Sequence, residues 1–338
     1  MKTKLPQPDV TSLMRCFRSA IAAKLLLTAL EANLFTWLTT PRTSAAIADK
    51  FNWNLAAVTK YCEILSYLGL VTIEGEKVQN THGTDKLLNK ESQGNVIAYI
   101  CESCRWCLEP LDDLPRILRD GPVLSKADTD PESLWEDIIA CGAGMVFADS
   151  GQTVANCLAA LPGSENFRRM LDLGGGHGGY AVRAAETMPR LEVDVLDFPA
   201  VLQATERYRK KGPASARVRA LPANYVNDAI APGYDVVFAS DTLNFTLPGK
   251  TTRQVMDKIH AALKPGGYCV SVHDGPGEKS ITPEWPFECH VCDLVTGSPM
   301  GMPLNFISDT MLASGFRHVR TELIHLNGSF RTLDVARK

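Results

Sequence analysis

The residues with the most chemistry in their types and spacing run from Met170 to Gly179, Met-Leu-Asp-Leu-Gly-Gly-Gly-His-Gly-Gly. An apolar strand here enters a glycine-rich turn and then a helix. Glycines let a ligand approach the backbone closely and open a helix N-terminus to an anionic group. Asp197 ends the next apolar run, Val193 to Leu196. A carboxylate at that place can accept both hydroxyls of a ribose. Nicotinamide and flavin enzymes share such loops in the form G-x-G-x-x-G. Here the form is D-L-G-G-G-x-G, so the loop alone leaves the nucleoside cofactor open.

Two cysteine clusters also have ligand-like spacing. Cys101, Cys104 and Cys107 form one C-x2-C-x2-C run, and Cys289 and Cys292 form a C-x2-C. Together they could hold zinc or an iron–sulfur cluster. The first run lacks the fourth cysteine and the proline of a ferredoxin. On a helix, positions 101, 104 and 107 drift around the face. Buried thiols are therefore expected and no metal site.

The elements that must position these residues fall into three stretches. Residues 10 to 38 read as helix, with Met14, Phe17, Ile21, Leu25 and Leu26 near helical spacing. Thr43-Ser44 can cap a short helix through Phe51, and a second helix runs from Leu55 to about Leu68, with Gly69 to end it. Val71 to Ile73 and Lys77 to Gln79 flank Glu74-Gly75-Glu76 as a β-hairpin. Helix, turn, helix, hairpin is a winged helix. Its DNA-binding reading is weakened by Glu63 on the second helix and by Glu74 and Glu76 in the wing. A packing or dimerisation module is the expectation. Residues 90 to 165 read as irregular helices with Trp106 and Trp135. After Gly163 short β-rich runs alternate with helices, which implies a parallel sheet covered on both faces. The expected divisions are 1–90, 91–165 and 166–338.

The 338 residues include 45% hydrophobic and 22% charged ones, an ordinary globular balance. Lys and Arg number 35 against 38 Asp and Glu, a net charge of -3, so nucleic acid is not an expected partner. No apolar run approaches the roughly 20 residues of a membrane span. The start, MKTKLPQPDV, has no apolar run behind its lysines. No signal peptide is expected, and the cytoplasm is the expected location.

At the glycine loop the chain resembles the S-adenosylmethionine-dependent methyltransferases of the plant caffeate and bacterial small-molecule O-methyltransferase type. Leu171-Asp172-Leu173-Gly174-Gly175-Gly176-His177-Gly178 and Leu196-Asp197-Phe198-Pro199 resemble that family's "DVGGGTG" and "DLP". Tyr234 to Phe238 resembles its fourth strand, Leu263-Lys264-Pro265-Gly266-Gly267 its "LKPGG" turn, and Met311 to Phe316 its late "LLxxAGF" helix. The resemblance implies an α/β fold: a Rossmann-like class I methyltransferase domain behind an N-terminal, mostly helical winged-helix dimerisation domain. It also implies an intertwined homodimer, S-adenosylmethionine as cofactor and a small-molecule acceptor. By that resemblance Asp172, Gly174, Gly176 and Gly178 would line the methionine part of the cofactor. Asp197 would hold the ribose, Phe198 would pack on the adenine edge, and Asn224-Tyr225 would stand at the adenine. Ser240 would lie near the cofactor's carboxylate, and Phe147, with Met145 nearby, over the sulfonium.

One departure from the family pattern bears on chemistry. Many members carry S-R-x-L-H-D-W after the fourth strand, with His as general base. Here the run is Ser240-Asp241-Thr242-Leu243-Asn244-Phe245-Thr246, and neither Asn244 nor Phe245 can accept a proton near neutral pH. Either another residue is the base, with His290 the leading candidate, or the acceptor needs none. His177 is expected to face solvent or the loop itself, and His260 to be structural. A thioether sulfur is a neutral nucleophile with no proton to lose, so in-line positioning and exclusion of water suffice. Methyltransferases that act on 4-methylthio-2-hydroxybutyrate, on the route to dimethylsulfoniopropionate, fit that logic. The carboxylate of such an acceptor wants an arginine fork, and Arg105 is the first candidate, Arg18 the second. The blander reading of each is a surface arginine. The alternatives are an O- or C-methyltransferase for an aromatic or natural-product acceptor, and a winged-helix regulator whose second domain only senses a ligand.

Overall fold

The computed structural model describes residues 9–122, 139, 141–210, 212–243, 250–273, 291, 294–297, 303 and 305–338. The chain divides into two compact units, Met1–Cys101 and Glu102–Lys338. The first unit thus runs about ten residues past the position expected from sequence.

In the first unit, α1 (Val10–Glu31) starts at Asp9, whose carboxylate accepts the Ser12 amide at 2.7 Å. Asn33 takes a left-handed conformation (φ 57) and breaks the helix, and α2 (Leu34–Trp37) follows. The single helix expected over 10–38 is therefore two. After β1 (Arg42–Thr43), the Thr43 hydroxyl accepts the Ala46 amide to open α3 (Ser44–Phe51), and Asn54 accepts the Ala57 amide to open α4 (Leu55–Tyr67). Strands β2 (Val71–Glu74) and β3 (Lys77–Asn80) form the expected hairpin around Gly75. The two-residue β1 adds to it in the order β1-β3-β2. Two residues are too few to show alternation, so sequence alone does not reveal that strand. Leu34, Phe35, Leu38, Ile47, Val58 and Leu65 form the core of this unit, with α5 (His82–Leu88) and α6 (Ile97–Ser103) completing it.

The second unit opens with a wide π-helical turn, Cys104–Leu108, a short 3-10 turn, and α7 (Leu114–Asp120). A second π-helical turn, Val146–Ser150, leads into α8 (Gly151–Ala159). Strands and helices then alternate. They are β4 (Arg169–Leu173), α9 (Gly179–Thr187), β5 (Glu192–Asp197), α10 (Pro199–Ala204), α11 (Glu206–Arg209), β6 (Val218–Pro222) and β7 (Tyr234–Ser240). After them come α12 (Lys250–Ala262), β8 (Leu263–His273), α13 (Phe306–Ala313), β9 (Arg317–Leu326) and β10 (Ser329–Arg337). The helical stretch after β5 breaks at Thr205 into α10 and α11.

The seven strands lie in the order β6-β5-β4-β7-β8-β10-β9. β4 through β8 are parallel, and β9–β10 is an antiparallel hairpin whose last strand pairs with β8. Met170, Val193, Val195, Val236, Phe238 and Val270 bury one face under α8 and α9. Leu171, Leu173, Leu196, Val237, Ala239 and Cys269 bury the other under α12 and α13. Each such fully buried aliphatic side chain contributes roughly 1.5–3 kcal/mol. The chain passes from β4 outward through β5 to β6, then returns to the other side of β4 as β7. Strand order thus reverses between β4 and β7. The carboxyl ends of strands on either side of such a switch point leave a crevice where ligands of open α/β sheets bind.

Candidate functional site

Both strands that flank the switch point end in turns that touch. Gly174, Gly176 and Gly178 have φ of 63°, 48° and 68°, a region that only glycine enters without cost. A Cβ at Gly174 would come within 2.4 Å of the Thr242 side chain, and one at Gly176 equally close to Ile139. These glycines are therefore required by backbone conformation and by neighbouring side chains.

The loop's amides are consumed from within. Gly174 and Gly175 donate to the Leu196 carbonyl at 2.8 and 3.3 Å, and Gly178 donates to the Gly175 carbonyl. Gly176 donates to Asp197 Oδ2 at 2.9 Å, and Gly179 to His177 Nδ1 at 2.9 Å. The sequence suggested a helix N-terminus open to an anion. The structure shows the amides of Gly174, Gly175, Gly176, Gly178 and Gly179 already satisfied. A pyrophosphate would find few free donors among these glycines, whereas the ribose and base of a phosphate-free nucleoside do not depend on them.

Four titratable groups surround the turn. Asp172 is buried, with its Oδ2 lacking a hydrogen-bond partner. Burial, and then the neighbouring Asp197 charge, push its carboxyl up to about 7. His177 is buried rather than solvent-facing, and burial, aided by Arg209, lowers its imidazole to about 4. Asp197, at the end of β5, receives the Gly176 amide on one oxygen and the Phe198 amide at 2.8 Å on the other. Burial raises its carboxyl, with those two amides opposing. Each oxygen keeps a second lone pair for a hydroxyl. Beneath the loop, buried Arg209 donates to the Gly176 carbonyl at 3.1 Å and to Thr205 Oγ1 at 2.9 Å. Thr205 Oγ1 lies 2.7 Å from the Val201 carbonyl and 3.0 Å from the Gly176 carbonyl. Nothing in the sequence pattern singles out Arg209 or Thr205. They matter because α10 and α11 fold back under the loop.

Beside Asp197, the rings of Phe198 and Tyr225 face each other at 6.0 Å and 35°, both half-buried. Asn224 is occupied locally. Its Oδ1 accepts the amides of Val226 and Asn227 at 3.0 and 3.2 Å. Its side chain thus shapes the turn, and an outward-facing carbonyl is not what this geometry gives.

The turn after β7 places Ser240 beside Tyr180, whose hydroxyl approaches Ser150 at 3.4 Å. Asp241 follows with φ 51 and an ion pair to Arg331 on β10. On the neighbouring strand end, His273 Nε2 lies 2.9 Å from Asp334 Oδ2, and Thr321 donates to the other oxygen.

Phe147 is placed differently from the expectation. Ile139, Gly142 and Val146 approach Gly176, His177 and Gly179 respectively. Phe147 lies one step round the helix, buried, stacked on Tyr208 at 6.3 Å and under the Arg183 guanidinium. It is a core residue, because one residue of helical phase separates the loop-facing stripe from the core stripe. Arg105 pairs with Glu102 at 3.0 Å, its side chain 65% exposed. That is a surface pair on one helical stretch. His260 packs edge-on against Phe316 at 4.9 Å. Asn244, Phe245 and His290 lie outside the described residues, as do Trp135, Cys289 and Cys292. Among the described residues, no group of three or more His, Cys, Asp or Glu side chains is placed to hold a metal. No described helix is long and apolar enough to cross a membrane.

Comparison with known proteins agrees with this geometry. Residues 171–269, from β4 into β8, match the methyltransferase domain family. An uncharacterized protein of Methanocaldococcus jannaschii is 27% identical over 73% of this chain and 65% of its own length. Demethylspheroidene O-methyltransferase of Rhodobacter capsulatus is 30% identical over 46% of this chain and 40% of its own length. The chain thus spans less than two thirds of these relatives. Among solved structures, human N-acetylserotonin methyltransferase in complex with S-adenosylmethionine superposes with a TM-score of 0.75 at 17% identity, covering 99% of both chains. An O-methyltransferase family protein of Burkholderia thailandensis gives 0.72 at 21%, over 98% of this chain and 99% of the other. At these identities the likeness establishes the fold, a Rossmann-like methyltransferase fold with an N-terminal helical part.

Proposed function

We propose that this chain, whose residues 171–269 match a methyltransferase domain, is an S-adenosylmethionine-dependent methyltransferase acting on a small-molecule acceptor. The observation that carries the reading is the self-satisfied glycine loop beside Asp197. It suits a phosphate-free nucleoside whose ribose a carboxylate can hold. When bound, that cofactor supplies an electrophilic methyl group on a sulfonium. The loop Gly174–Gly178 would lie along its methionine part, Asp197 would accept ribose hydroxyls, and Phe198 and Tyr225 would flank the adenine. The protein's contribution is orientation and exclusion of water.

The named relatives point to oxygen acceptors, demethylspheroidene among them. A second reading rests on Asn244, which stands where the resembled family carries its base. It is base-free methylation of a thioether such as 4-methylthio-2-hydroxybutyrate, with Arg105 as a candidate for its carboxylate and His290 without a proton-transfer role. Single-turnover methyl transfer across pH 6 to 9, with product mass spectrometry on phenols and thioethers, separates them. A thioether reaction stays flat with pH. A phenol reaction through His290 falls as pH drops through the histidine range near 6.5. Calorimetry tests the broader reading. Binding of S-adenosylhomocysteine is expected, and a preference for a nicotinamide dinucleotide would end it.

The first unit is read as a winged-helix dimerisation module. Leu13, Phe17 and Ile21 on α1 are exposed, more apolar surface than a lone helix should show water. A homodimer is expected by light scattering, and the mass of a single chain at micromolar concentration would contradict it.

A further inference from the structure

Arg331 lies on β10, 90 positions beyond Asp241, and outside every motif of the sequence. Its guanidinium donates to Asp241 Oδ2. Asp241 is the first residue past β7 and has left-handed backbone, φ 51. Aspartate is one of the few L-residues that enter this region at modest cost. The Asp241 amide donates to the Val272 carbonyl of β8 at 2.9 Å. The next residue, Thr242, has its hydroxyl 2.9 Å from the Leu173 carbonyl and 3.1 Å from the Ser240 carbonyl. Its methyl group fills the space where Gly174 would otherwise carry a Cβ.

These contacts form one line: Arg331 holds Asp241, Asp241 aims Thr242, and Thr242 walls the first glycine of the loop. We infer that Arg331 is a positioning residue for the cofactor loop, acting through Asp241 and Thr242. The inference rests on the proposed function, because the loop's ligand is taken to be the adenosyl cofactor. Tyr180, Ser150 and Ser240 lie against the same turn, so the pair sits in a partly buried polar setting where its loss is not screened away. Asparagine or aspartate tolerates the left-handed region, but only a carboxylate answers the guanidinium with charge. The carboxylate at position 241 therefore serves the ion pair as well as the turn.

The test is calorimetric titration of S-adenosylhomocysteine into the full chain, with thermal melting of each unliganded variant. Arg331→Met is expected to weaken binding roughly tenfold while the unliganded melt stays cooperative and near wild type. Arg331→Lys should recover most of the loss. Asp241→Gly keeps the turn conformation accessible and removes the pair, so it should weaken binding to a similar degree. It also serves if Arg331→Met does not fold. Binding within twofold of wild type in both Arg331→Met and Asp241→Gly would overturn the inference alone. A wild-type chain that binds no S-adenosylhomocysteine would overturn the proposed function and this inference with it.

Discussion

Two turns meet at the switch point, and they reach left-handed backbone by different means. The turn after β4 uses glycine at 174, 176 and 178 and closes its amides on near partners: Leu196, Asp197, His177 and Gly175. The turn after β7 uses Asp241, an L-residue, and is held by Arg331 from the far hairpin. The first is built by residue type and the second by tertiary contact. A turn made of glycines announces itself in a sequence, whereas a turn held by a remote arginine does not.

The sharpest way to break this comparison is to give the first turn a side chain. Gly174→Val adds a Cβ at φ 63 and within 2.4 Å of Thr242. Left-handed strain and overpacking together should cost about 3 kcal/mol or more. A urea midpoint unchanged from wild type would mean that the two turns are not packed as described.

Asp172 tests the electrostatics of the first turn. Its carboxyl is raised to about 7 from an ordinary 3.8, so the folded chain binds a proton there that the unfolded chain releases. Stability from this group is therefore lost as pH rises from about 4 to about 7, and the loss is complete above 7. His177 acts in the opposite sense. Lowered from 6.5 to about 4, it adds stability as pH rises across that window. Asp172→Asn should remove the falling contribution, so its stability relative to wild type should climb between pH 5 and 8, by up to a few kcal/mol. Urea denaturation at both pH values measures this, and parallel behaviour of the two proteins would refute it.

Asp197 tests the proposed link between the first turn and the cofactor. Asp197→Ala should weaken S-adenosylhomocysteine binding by roughly 2 kcal/mol, through lost hydrogen bonds to a charged acceptor. Unchanged affinity in calorimetry would show that the carboxylate serves only the Gly176 and Phe198 amides. Thr242→Ala, at the joint of the two turns, should cost about 1 kcal/mol of stability, and Thr242→Ser should recover the hydroxyl's share. Equal loss in both variants would assign the joint to the methyl group.

The residues that the sequence singled out divide along the same line. The glycine loop, Asp197, Phe198 and Tyr225 are gathered at one end of the sheet, because strand periodicity and turn chemistry are local properties. Asn224 turned out to cap its own turn, since a short polar side chain next to free amides bonds locally first. Phe147, placed over the sulfonium by the family resemblance, is packed on Tyr208 and Arg183 in the core, because the chain around it forms a π-helical turn whose local phase a motif match does not carry. Arg105 found Glu102 three residues earlier on its own helical stretch.

By itself the sequence determined the alternation of strands and helices, the capped helices and hairpin of the first unit, and the position of a nucleoside-type loop with its acidic partner. Those features depend on neighbours within about ten residues and on the alternation of apolar side chains. Only the tertiary structure decided that Arg209 and Thr205 brace the loop from below, that His177 is buried and neutral, that Asp172 is driven toward a neutral carboxyl, and that Arg331 reaches Asp241. Each of these depends on burial or on contact across tens of residues. Desolvation and charge proximity are set by where the folded strands end, which no run of residue types records.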